Sequence, residues 1–72
     1  MKKTIHDDEY KAFVKRLKVA RIAAKLTQVQ VAKKLGATQA YVSKVEKCQL
    51  RVDALELKKF AKIYGKSVSY FI

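Results

Sequence analysis

Residues 27–46 read Thr-Gln-Val-Gln-Val-Ala-Lys-Lys-Leu-Gly-Ala-Thr-Gln-Ala-Tyr-Val-Ser-Lys-Val-Glu. Thr27 can cap a helix with its hydroxyl, Gln30 three residues on can return the bond as a capping box, and Gly36 can take the left-handed conformation that ends it. The pattern predicts a helix over 28–35 with Val31, Ala32 and Leu35 facing inward. Thr38 then caps a second helix over about 39–47, whose inward residues are Val42 and Val45. Only a three-residue turn starting at Gly36 separates the two, and Ala32 is small enough to let a neighbouring helix cross close by. Two short abutting helices of this kind make a helix-turn-helix. The outer face of the second displays Thr38, Gln39, Ala40, Ser43, Lys44 and Lys47.

Working outward, Tyr10, Phe13, Val14, Leu17, Ala20 and Ala24 recur at steps of three and four, which places a first helix over about 8–25. Asp7, Asp8 and Glu9 favour its start, because their charges complement the exposed N–H groups and positive dipole end there. On the far side, Asp53 with Glu56 repeats the capping pattern before Ala54, Leu57, Phe60, Ala61 and Tyr64, and Gly65 terminates that helix. Ser67 can cap a last short turn in which Val68 and Phe71 point back to the core. The expectation is an all-α, compact five-helix domain over residues 8–72, preceded by a frayed segment over residues 1–7.

Composition narrows the function. A chain of 72 residues removes roughly 60% of its unfolded surface from water, so one domain with a marginal core is expected and a catalytic cleft is hard to accommodate. Seventeen Lys and Arg against six acids leave a formal net charge of +11, a field that draws in polyanions. His6 is the only histidine and Cys48 the only cysteine, so neither a metal site nor a Cys-His nucleophile can be assembled, and no internal disulfide can form. These counts point away from an enzyme and from any metal or cofactor. No apolar run is long enough for a secretory leader or a membrane span, from which a soluble cytoplasmic protein is expected. A cationic chain that carries Gln, Tyr, Ser and Lys on the outside of its second short helix suits a DNA surface.

From about Leu17 to Phe71 the sequence resembles the lambda-repressor-like DNA-binding domains of the XRE/Cro family, found in phage repressors and many bacterial regulators. The residues that carry the likeness are Arg21, Leu26-Thr27-Gln28, Ala32, Leu35-Gly36, Thr38-Gln39, Val42-Ser43-Lys44-Val45-Glu46 and Leu57, Ala61 and Gly65, with Ser67, Val68 and Phe71 closing the pattern. The resemblance implies a five-helix fold, double-stranded DNA as partner, and roles for individual residues. Gln28, Thr27 and Thr38 would contact phosphates at helix starts. Gln39 would enter the major groove and pair with adenine, Lys44 would reach guanine, Ala40 would pack on a thymine methyl, and Ser43 would lie at the edge of the reading face. Tyr41, Lys47, Gln49 and Arg51 would follow the backbone. Arg21 and Glu46 would form a partly buried ion pair that fastens helix 1 to the end of helix 3.

One departure from the family pattern is Cys48, where glycine is usual because the chain leaves helix 3 in a left-handed conformation. Cys48 must adopt that conformation at a cost or lengthen the helix. Leu50, Leu55, Ile63, Tyr70 and Ile72 exceed what the core stripes require, which suggests a homodimer on a palindromic operator. No small-molecule ligand is evident, and no effector-sensing segment is expected. The expected function is therefore that of a small transcriptional regulator of the repressor or controller type. The rival is an antitoxin or adaptor that uses the same fold mainly to bind protein.

Overall fold

The computed structural model describes residues 7–72, so residues 1–6 of the expected frayed segment lie outside the described residues. Asp7 is the N-cap of the first helix, its carboxylate accepting from the Glu9 N–H at 2.8 Å. Among the described residues the helices are α1 (Asp8–Ala23), α2 (Gln28–Leu35), α3 (Gln39–Glu46) and α4 (Ala54–Tyr64), followed by one 3₁₀ turn at Val68–Tyr70. The expected fifth helix is thus a single turn: Tyr70 N–H bonds the Ser67 carbonyl and Phe71 N–H that of Val68, both three residues back. The Ser67 hydroxyl does not cap this turn and instead meets the Ser69 hydroxyl at 3.0 Å.

The starts form as their residue types require. The Thr27 hydroxyl accepts from the Gln30 N–H while the Gln30 side-chain Oε1 accepts from the Thr27 N–H, a complete capping box. Thr38 caps α3 through the Tyr41 N–H, and Asp53 caps α4 through the Glu56 N–H.

All four helices end in the same way. Just beyond each one a residue turns left-handed, at Lys25, Gly36, Cys48 and Gly65, and the N–H that follows it reaches back five residues to close a Schellman motif. Glycine does this at no steric cost at positions 36 and 65. Lys25 (φ 60°) and Cys48 (φ 61°) do it as L-residues with a side chain. These two turns stop α1 at Ala23 and α3 at Glu46, short of the expected ends near residues 25 and 47.

The short α2 and α3 pack on each other, α1 braces α3 and α4, and α2 also meets α4. Leu17, Ala20, Val31, Val42, Val45, Phe60 and Phe71 are at most 1% exposed and come from every element except the 3₁₀ turn itself. Each large member stabilises the fold by about 1.5–3 kcal/mol through apolar burial, and the domain has few of them to lose. The Arg16 guanidinium donates to the Phe71 carbonyl at 3.2 Å and holds the last turn against α1.

Candidate nucleic-acid interface

Val42 and Val45 are completely buried, which fixes the roll of α3 about its axis. That roll leaves Gln39, Ala40, Lys44 and Lys47 exposed on the opposite side, with Ser43 half-buried at their margin. Thr27 and Thr38, at the starts of α2 and α3, are exposed as well, although their hydroxyls already serve as caps.

Behind this face runs a continuous chain of polar contacts. The Arg21 Nε donates to Glu46 Oε2 at 2.7 Å and its Nη2 to Oε1 at 3.2 Å, while Nη1 donates to the Leu26 carbonyl at 2.9 Å. The two side chains are only 13% and 5% exposed, so this is a nearly buried forked ion pair between α1 and the end of α3. Gln28 Nε2 donates to the same Glu46 Oε1 at 2.9 Å. Gln39 Nε2 then donates to Gln28 Oε1 at 2.7 Å. Gln28, expected from the sequence as a phosphate contact, is half-buried and ties the start of α2 to both ends of α3. One of its two amide hydrogens remains uncommitted by these bonds.

Tyr41 turns toward the start of α4. Burial raises its phenol to a pKa of about 12, helped by the Glu56 carboxylate to which it hydrogen-bonds and by Asp53. A hydroxyl whose ionisation is opposed by two nearby carboxylates is poorly placed for a phosphate.

The segment after α3 is held from an unexpected quarter. The Tyr10 hydroxyl on α1 donates to the Leu50 carbonyl at 3.2 Å and accepts from the Val52 N–H at 3.0 Å. The Arg51 guanidinium lies 4.6 Å from the centre of the Tyr10 ring, a cation–π contact. Lys47, Gln49 and Arg51 are exposed along this clasped loop, and Cys48 is half-buried against the core. The apolar spacing of α1 marked Tyr10 only as a core residue. Its clasp carried no local signal, because its partners lie 40 and 42 residues away.

Of the candidate dimer residues, Leu50, Leu55, Tyr70 and Ile72 are exposed, with Leu55 and Ile72 at 69% and 79%. Ile63 stands apart from them, half-buried against the core in a shallow cleft that Lys34, Lys59 and Lys62 also line. Val19, Ile22 and Val29 are further exposed apolar residues that the sequence pattern did not single out. No helix among the described residues is long and apolar enough to cross a membrane.

A helix-turn-helix family model matches residues 17–71. No curated protein gives a significant match. Among solved structures, the chain is similar to an XRE-family like protein from Pseudomonas syringae pv. tomato str. DC3000, at 37% identity and a TM-score of 0.85, over 94% of this chain and 83% of that one. The match spans the capped α2–α3 pair, the Arg21–Glu46 tie and the closing turn at once, and the chain belongs to the XRE family of helix-turn-helix proteins, a family of DNA-binding regulators.

Proposed function

We propose that this protein binds double-stranded DNA sequence-specifically as a small repressor or controller-type regulator, with α3 in the major groove. The observation that carries the reading is the stripe of Gln39, Ala40 and Lys44, exposed together on α3 with its inner face locked by Val42 and Val45. In this reading Gln39 pairs with adenine, Lys44 donates to the acceptors of guanine, and the Ala40 methyl packs on a thymine methyl. Ser43 lies at the edge of the same face. Thr27, Thr38, Lys47, Gln49, Arg51 and the second amide hydrogen of Gln28 take phosphates, which set register and supply affinity without choosing sequence. Arg21 and Glu46 form the ion pair that fastens α1 to the end of α3.

Exposed Leu50, Leu55, Tyr70 and Ile72 favour a homodimer, whose paired recognition helices would sit roughly 34 Å apart on a palindromic operator. The net charge of +11 suits a polyanionic partner of this length. The test is selection of bound duplexes from a random-sequence pool. A recovered palindrome whose positions relax in Gln39→Ala and Lys44→Ala supports the reading. Absence of any enriched sequence refutes it and promotes a protein-binding antitoxin or adaptor role.

A further inference from the structure

We propose that Glu46, too buried to touch DNA, determines which base Gln39 reads by fixing the direction of the amide relay between them. The proposal rests on the placement of Gln39 in the major groove given above. A carboxylate offers only acceptors, and Arg21 already donates to both oxygens of Glu46. The group of Gln28 that lies 2.9 Å from Glu46 Oε1 must therefore be its amino group, because a carbonyl there would face an anion. With that end committed, Gln28 presents its carbonyl oxygen at the other end. Gln39, at 2.7 Å, must then turn its own amino group inward to donate.

This polarity leaves Gln39 with one N–H and its carbonyl oxygen uncommitted by the relay. One donor beside one acceptor complements adenine, which offers N7 as acceptor and the N6 amino group as donor. Guanine offers two acceptors, N7 and O6, and its O6 would confront the Gln39 carbonyl. A reversed relay would do the opposite. If Gln28 donated to the Gln39 carbonyl, both Gln39 hydrogens would be available, and guanine would be the better partner. Glu46 is thus a positioning residue for specificity, acting through two intervening bonds in addition to its pairing with Arg21.

Glu46→Gln tests the direction. The new amide keeps its carbonyl oxygen toward Arg21 Nε, the shorter of the two contacts, gives up the 3.2 Å bond from Nη2, and so places its amino group toward Gln28. Gln28 then accepts there and must donate to Gln39. Binding is measured on paired duplexes that carry A·T or G·C at the position identified by its dependence on Gln39, with folding of each variant followed by circular dichroism.

The wild type is expected to favour adenine by about tenfold, within the range of a good bidentate contact, and Glu46→Gln to favour guanine instead. Gln28→Leu severs the relay without touching Glu46, and in it the preference should fall toward parity without reversing. An undiminished adenine preference in folded Glu46→Gln, even with weaker binding overall, overturns the proposal. Should Glu46→Gln not fold, Gln28→Leu decides by the same criterion. Failure of the wild type to select any sequence, or of Gln39→Ala to relax any position, removes this inference together with the reading beneath it. A Gln39-dependent preference indifferent to both relay variants removes this inference alone.

Discussion

Replacing Arg21 with alanine should remove a large part of the stability of this domain. Three donations disappear at once: two to Glu46, at 2.7 and 3.2 Å, and one to the Leu26 carbonyl at 2.9 Å. Glu46, 5% exposed, is left with Gln28 as its only polar contact among those of the relay, and water cannot replace a forked guanidinium in so closed a site. Breaking a buried pair by removing one partner costs about 3–5 kcal/mol, because the remaining charge keeps its desolvation penalty. A domain of 72 residues has a total of about 4–11 kcal/mol, at 0.05–0.15 kcal/mol per residue. For domains of this size each kcal/mol corresponds to about 4–8 °C, so the melting midpoint should fall by about 12–40 °C.

The assay is thermal and urea unfolding followed by circular dichroism. Arg21→Met combined with Glu46→Leu serves as the control, since apolar replacement of both partners removes the orphaned charge and should recover much of the loss. A drop of less than about 4 °C in Arg21→Ala would refute the argument, because it would mean that the pair contributes no more than an exposed one.

The remaining predictions follow from other contacts. Lys25→Gly relieves a left-handed residue at an exposed position and should raise stability by about 1 kcal/mol, read from the urea midpoint; a decrease would show that the turn is not strained there. Tyr10→Phe keeps the ring but leaves the Val52 N–H without its acceptor, so it should cost about 1–3 kcal/mol and speed hydrogen exchange of that amide. The Tyr41 phenol, raised from 10.0 to about 12 in the fold, contributes stability that is complete below about pH 10 and is lost as pH climbs from about 10 toward 12. Tyr64 acts in the same direction, pushed up by burial and by Glu46. Phenolate absorbance should show this late ionisation, and Tyr41→Phe should remove the step near pH 12. If a dimer neutralises about 6–10 phosphates, affinity should fall about 10³–10⁵-fold between about 50 and 200 mM salt, and Lys47→Ala should reduce the logarithmic slope by about one for each phosphate it leaves unneutralised.

The readable parts of this protein are those whose causes lie within a few residues. Thr27 with Gln30, Thr38 with Tyr41, and Asp53 with Glu56 each satisfy a helix start from three residues away, so a linear reading finds them. Gly36 and Gly65 announce their left-handed turns by having no side chain. Lys25 and Cys48 make the same turns without that signal, and the ends of α1 and α3 were expected two residues and one residue too far along. The final element was expected as a helix from its capping serine and two apolar residues, features that a 3₁₀ turn shares.

Apolar spacing and charge balance were sufficient to determine an all-helical domain, its inner stripes, and the face of α3 that remains outside, because burial of a stripe obliges the opposite side to be exposed. Which polar groups meet behind that face was decided only in three dimensions. Gln28 reaches Glu46 across 18 residues and Gln39 across 11, while Tyr10 spans 42 to Val52. Such contacts depend on how closely α1, α2 and α3 approach and cross, which is set by packing of the whole core. A hydrogen bond has to be met within a few tenths of an ångström, and no local pattern in the chain specifies a distance between helices that finely.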